Sequence, residues 1–185
     1  MLEMILPSIL WWLRLLWIFS YSHPLPLYIK PTFLEKTNSN AVEIYSRAPE
    51  GKGHDIDIDF QYNSKEPITS PLKAAPQKGW IQGDKENSSN WKVSPLFPLK
   101  LPYLILECDD NYEFCVIGYP SRSYCWIMNR KPFMKEETYS MLTEKLKEKH
   151  QYDLEGLRRV PQKWTKEERD KRGLTDVIPD DMLSE

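Results

Sequence analysis

The chain has 185 residues, enough for one well-buried core and too few for two comfortable domains, so one domain with tails is the starting expectation. Its 25 basic and 27 acidic residues give a net charge of -2, and no basic run stands out, which excludes the electrostatic footprint of a nucleic-acid binder. Seven Trp, ten Tyr and six Phe against seven Gly and fifteen Pro suit strands joined by proline-marked turns.

The first 22 residues stand apart. Ile5 to Phe19 is apolar except for Ser8 and Arg14, and it is shorter than the ~20 residues that a bilayer-spanning helix needs. With Ser20 and Ser22 as small residues near a cleavage point, 1–22 reads as a signal-peptide-like segment. Glu3 in place of a leading positive charge, and Arg14 inside the run, fit equally an apolar extension lying on the fold or on a membrane surface. Export or membrane association through this segment is the expectation, with a cytoplasmic chain as the alternative. Residues 23–39 follow as an irregular linker, in which Leu25 to Lys30, hemmed by Pro24, Pro26 and Pro31, has room only for a short edge strand.

From residue 40 the pattern turns regular. "NAVEIYS" sets Val42 and Ile44 against Ala41, Glu43 and Tyr45, and "HDIDIDFQYN" sets Ile56, Ile58, Phe60 and Tyr62 against Asp55, Asp57, Asp59 and Gln61; this is the alternation of half-buried strands. "LKAAPQKGWIQ", "NWKVSPLF", "PYLILEC", "YEFCVIGY" and "SYCWIMN" follow at short intervals. Seven strands so spaced predict an antiparallel meander closing as a sandwich or barrel. Then "MKEETYSMLTEKLKEKH" lines up Met134, Thr138, Met141, Leu142 and Leu146 on one stripe, with Glu136 and Glu137 in an acidic first turn. It predicts one amphipathic helix near 134–149, packed outside the strands. In the tail, 163–185, Thr165 and Glu168 make a capping box and Gly173 a stop, hence a short helix, with Trp164 as its anchor.

Polar clusters give little chemistry. Asp55, Asp57, Asp59, Gln61, Asn63 and Glu66 fall at calcium-loop offsets, but Phe60 replaces the sharp-turn glycine and the isoleucines give strand alternation, so the carboxylates read as a solvated face. His23, His54 and His150 lack metal-type spacing. No metal or cofactor is called for. Three cysteines cannot all pair; Cys108, Cys115 and Cys125 are expected on the outward phase, free beneath the helix or, for Cys115 and Cys125, joined in an oxidising compartment. Asn87-Ser88-Ser89 is a glycosylation sequon with meaning only in the secretory route.

The run from Arg122 to Pro132, with Tyr124, Trp126, Ile127 and Arg130 between, then the amphipathic helix, then Tyr152, Asp153, Leu157 and Pro161-Gln162, resembles the lipocalin family, and within it the bacterial outer-membrane lipocalin and apolipoprotein D branch. The resemblance spans about 40–162, and its core motif is specific. It implies an all-β, antiparallel up-and-down barrel of seven to eight strands with the helix outside. The family's opening G-x-W strand is missing before residue 40, so the expected stacking partner of Arg122 is absent. Either the barrel has a gap or an imperfect substitute strand closes it, and an open edge is costly.

Arg122, Tyr124 and Trp126 lie two apart, on one face of an extended segment. Taking Glu113 as solvent-facing turns Tyr112, Phe114 and Val116 inward, with Tyr124 and Trp126 beside them and Tyr103 and Ile105 on the preceding strand. Spacing alone suits a barrel simply filled by aromatics. The resemblance implies instead that Trp126, Tyr124, Tyr103, Phe114, Tyr112 and Ile105 line a cavity for a small hydrophobic ligand such as a fatty acid or lysophospholipid. It also gives Arg122 and Arg130 structural roles. The expectation is a non-catalytic binding protein; the alternatives are a lipocalin-type enzyme acting on a lipophilic substrate, or a truncated homologue without an open cavity. Oligomeric state is left open.

Overall fold

The computed structural model describes residues 27–30 and 37–171. The apolar segment 1–22 and the end of the tail, including Gly173, lie outside them. Among the described residues there are ten strands: β1 Leu27–Lys30, β2 Ser39–Arg47, β3 Ile56–Asn63, β4 Leu72–Ala74, β5 Gln77–Ile81, β6 Asn90–Leu96, β7 Leu99–Cys108, β8 Phe114–Gly118, β9 Cys125–Asn129 and β10 Arg158–Arg159. Two helices accompany them among the described residues, α1 Glu136–Glu148 between β9 and β10, and α2 Lys166–Lys171 after β10. The seven strands expected from the sequence are all there, with 72–82 split into β4 and β5. β1 occupies the short edge strand for which Leu25 to Lys30 left room, and β10 is added.

Every pairing is antiparallel, and the strands run β10-β1-β9-β8-β7-β6-β5-β3-β2 across one sheet, with β4 beside β3. Within the stretch expected as linker, β1 therefore supplies the substitute first strand, pairing Leu27–Lys30 with Cys125–Met128 on one side and with Arg158 and Arg159 on the other. The sheet curls into an incomplete barrel. Its two ends, β10 and β2, are joined by a strap rather than a ladder. Asn40, at φ 48, donates its backbone N–H to the Pro161 carbonyl at 2.8 Å, and its side chain exchanges two hydrogen bonds of 2.7 Å with the backbone of Lys163. Trp164, anchored by its Nε1 on Gln162 Oε1 at 3.0 Å, packs on Val42 and Ile44 from outside.

Two apolar layers share the strands. Inside, Ile29, Ala41, Phe60, Ile117 and Met128 form the central core, continued by Ile56, Ile58, Trp91 and Val93 along β3 and β6. Outside, Leu142 and Leu146 of α1 are fully buried against Val116, Cys125 and Ile127, so the predicted stripe is the one that packs, although Met141 remains exposed. Tyr28 stacks on Tyr139 at 4.2 Å, fixing α1 over β1. Glu107 receives Lys145 at 3.2 Å, Lys149 at 2.6 Å and His150 at 2.8 Å, fixing the other end of the helix over β7. In the tail, the Glu168 N–H donates to Thr165 Oγ1 at 3.2 Å, as the capping signal required.

Candidate functional site

A strand turns alternate side chains to opposite faces, so one contact fixes the phase of a whole strand. On β8, Ile117 and Cys115 belong to the inner layer while Phe114 and Val116 lie under α1. On β9, Trp126 and Met128 point in, and Cys125 and Ile127 lie under α1. On β7, Tyr103 and Ile105 point in; a register shift between Ile105 and Glu107 then lets Leu106 and Glu107 both meet α1.

Three expected wall residues, Trp126, Tyr103 and Ile105, are thus brought together on the inner face. Phe114 is not: it faces the helix, because both faces of β8 are apolar and Glu113 precedes the strand rather than marking its solvent side. Tyr112 is not on a strand at all but in the turn from β7 to β8, at φ 58, where its carbonyl accepts Arg130 Nε at 3.1 Å. Tyr124 lies just before β9, with its ring edge-on to Tyr119 at 5.9 Å. Arg122 is exposed in the left-handed position of the β8–β9 turn, φ 60, and donates Nε to the His150 carbonyl at 2.8 Å. It ties that turn to the end of α1 and shares no strand face with Tyr124 and Trp126. Arg130 holds the turn before β8 through Tyr112 and through its own N–H on the Glu113 carbonyl at 2.8 Å.

Cysteine placement also corrects the expectation of a common outward phase. Cys115 is inside, its Sγ 3.8 Å from Met128 Sδ, while Cys125 is buried under α1 and Cys108 is exposed at the end of β7. Cys115 and Cys125 lie on opposite faces of the sheet and all three thiols are free. Burial pushes the Cys108 and Cys125 thiols up to about 11, and it drives Cys115 higher still, with Cys108 and the Glu43 carboxylate adding to the effect. A thiol held protonated is a poor nucleophile.

The residues that spacing did not single out are Glu43 and Tyr45 of β2. With Ala41 inside and Val42 and Ile44 outside under Trp164, the phase of β2 turns both inward. The Tyr45 hydroxyl donates to Glu43 Oε2, and its oxygen lies 2.5 Å from the Tyr103 hydroxyl of β7, across the interior. Burial pushes both phenols well above their ordinary value, and the Glu43 charge adds to this, so both keep their protons at neutral pH. The lone signal in the sequence was a glutamate sharing the alternation of Ala41 and Tyr45. Glu43, Tyr45, Tyr62, Tyr103, Ile105, Cys115 and Trp126 all retain partial exposure although they sit on the concave face. Part of their surface is therefore left uncovered by the fold itself. Among the described residues, no group of three His, Cys, Asp or Glu side chains is placed to hold a metal ion. Nor is any helix long and apolar enough to cross a membrane.

A single antiparallel sheet curled around an aromatic-lined interior, with one helix on its convex side, defines an up-and-down barrel of the ligand-enclosing class. The family model described as a lipocalin-like domain matches residues 29–162, and the chain belongs to the lipocalin family. It is 36% identical over 99 residues to temperature-induced lipocalin-1 of Arabidopsis thaliana, a match covering 46% of this chain and 53% of that one, so it spans about half the length of that relative. Among solved structures it resembles insecticyanin of the tobacco hornworm Manduca sexta, at TM-score 0.54 and 14% identity over 82% of each chain. It also resembles apocrustacyanin C1, at TM-score 0.56 and 13% identity over 89% of this chain and 90% of that one. At such identities these structures bear on the fold alone.

Proposed function

We propose that the chain binds a small hydrophobic molecule inside the curled sheet and carries or sequesters it without transforming it. The observation that carries this reading is the partly exposed wall of Trp126, Tyr103, Ile105 and Tyr62 on the concave face, apolar surface that a ligand would cover. Single-chain lipids, a fatty acid or a lysophospholipid, suit such a lining. The run from Arg122 to Pro132 supports a place beside the bacterial outer-membrane lipocalin and apolipoprotein D branch. Cys115 does face the interior, as a thiol enzyme would require, but a thiol kept protonated by burial favours binding over nucleophilic chemistry.

Thermal unfolding with and without dodecanoate or lysophosphatidylcholine tests the reading. A ligand at a hundredfold excess over its Kd adds about 2.7 kcal/mol of apparent stability. Tryptophan emission locates the site: the ligand-induced change in the parent should shrink in Trp126→Phe. No stabilisation by either lipid would reject the binding reading, and a full emission change in Trp126→Phe would reject this wall.

A further inference from the structure

The large apolar side chains that the fold leaves exposed gather at one end of the sheet. Among the described residues they are Ile68, Leu72, Leu96, Phe97 and Leu99, with Met141 of α1 apart from them. Connections in an antiparallel meander alternate between its two ends, which puts the β3–β4 connection and the β6–β7 turn at the same end. The β6–β7 hairpin projects there. β8 pairs β7 only from Leu104 onward, so Leu99–Tyr103 overhangs that neighbour by five residues, roughly 17 Å. At the tip Leu96, Phe97 and Leu99 are 75%, 67% and 54% exposed. The charges around this tip have one sign. From Asn87 to Leu106 the sequence has Lys92 and Lys100 and no Asp or Glu, and from Pro67 to Gly83, along the neighbouring strands, Lys73 and Lys78 and no Asp or Glu. Lys78 Nζ lies 5.7 Å from the centre of the Phe97 ring and Lys100 Nζ 3.9 Å from that of Trp80. Asp57, opposite Lys78 across the ladder, is held by His54 Nε2 at 2.6 Å instead.

We propose that the β6–β7 hairpin tip is a docking element that seats this end of the curled sheet on an anionic phospholipid bilayer. Leu96, Phe97 and Leu99 enter the boundary of the acyl chains, and Lys78 and Lys100, their stems lying along aromatic rings, keep their ammonium groups at the lipid phosphates. Three exposed side chains on a narrow finger fall far short of the roughly 20–30 residues a side that a stable protein interface uses. A fluid surface needs only apolar area and matching charge, and the tip supplies both. Docking of this kind stands without any bound ligand. Loading from the bilayer is a further step that rests on the ligand reading argued above, and the strand carries a path for it: Leu101 faces the interior opposite Val93, and Leu99 shares its phase, so apolar side chains run from the tip to Tyr103 and Ile105.

Co-flotation of the full chain with vesicles of phosphatidylcholine, alone or mixed with phosphatidylserine, tests the docking. The mixed vesicles should bind at least about tenfold more tightly than the neutral ones. Leu96→Ser combined with Phe97→Ser should weaken binding to the mixed vesicles at least about tenfold, and Lys78→Gln combined with Lys100→Gln should remove most of the preference for them. All four side chains are exposed, and circular dichroism checks that each variant keeps the fold. Phe97→Trp reports position: lipid brominated in its acyl chains should quench emission in this variant beyond the quenching in the parent. The proposal is overturned if the chain binds neither vesicle, if the Leu96→Ser, Phe97→Ser variant binds as the parent does, so that another part such as 1–22 holds the bilayer, or if residue 97 gives no added quenching. A dimer in solution that the same two substitutions dissociate, with no binding to vesicles, would make a second copy the occupant and would overturn it equally. Dodecanoate titrated without vesicles keeps the two readings apart: lipid binding in solution without vesicle binding sinks the docking alone, and vesicle binding with these variant effects but without dodecanoate binding upholds the docking and counts against the ligand site.

Discussion

Replacing Glu107 by Gln should make α1 hold less tightly to the sheet, and only where the native carboxylate is charged. The Glu107 side chain is 12% exposed. Burial alone would raise its pKa, but hydrogen bonds from Lys149, His150 and Lys145 outweigh that and hold it at about 2, against an ordinary 4.5. At about 1.4 kcal/mol per pH unit the difference sets a ceiling of about 3 kcal/mol. Lys145 and Lys149 are 42% and 63% exposed, however, and solvent screening brings the expected loss to about 1–2 kcal/mol at neutral pH. Because the folded pKa is the lower one, the advantage of the parent over the variant is complete above about pH 4.5 and disappears as the pH falls through about 2. Denaturant unfolding of both proteins at pH 7, 5, 3 and 2 gives the difference directly, free of the other carboxylates common to the pair. A difference that stays constant from pH 5 to pH 2, or grows on acidification, would refute the ion cluster as the source of the effect.

Gly118→Ala should destabilise the fold by about 1–3 kcal/mol in the same assay, because a Cβ there would run into the Tyr152 hydroxyl and Leu106. That hydroxyl is held between the Tyr119 carbonyl at 2.9 Å and the Tyr119 N–H at 2.8 Å; an unchanged midpoint would mean that the contact relaxes freely. Iodoacetamide at pH 7.5 should label Cys108 slowly and leave Cys115 and Cys125 untouched until denaturant is added, as peptide mass mapping would report. Rapid labelling of Cys115 in the folded protein would contradict a thiol kept protonated by burial.

Strand positions were readable because "HDIDIDFQYN" and its neighbours alternate, and α1 because Leu142 and Leu146 share a stripe with an acidic first turn. Inside and outside were harder. β8 and β9 are covered on both faces, by the interior and by α1, so Phe114, Cys115, Val116 and Ile117 are all apolar and no polar residue marks a side. Choosing Glu113 as the marker shifted the reading of β8 by one residue. On β2 the rule ran backwards, since Val42 and Ile44 are apolar for the sake of Trp164 outside while Glu43 and Tyr45 are polar inside. A functional interior departs from the pattern that marks a core. Arg122 was misplaced for a different reason: its φ of 60 belongs to a turn, and periodicity does not report the sign of φ.

The strap at Asn40 also sets the order in which the molecule is completed. The Asn40 amide donates to Asn63 and Pro67 nearby in sequence, but its link to Lys163 reaches 123 residues further along the chain. A ribosome adding roughly 5–20 residues per second leaves that link unmade for roughly 6–25 s. Among the described residues, β2 is paired through its ladder to β3 alone, so for that interval the nascent chain shows a bare strand edge of the kind that recruits other chains. Closure waits on a few residues of loop carrying a tryptophan, far along the chain from the edge they cover. Yield in the cell is therefore tied to how fast 161–164 finds its seat, a kinetic requirement that the finished barrel no longer displays.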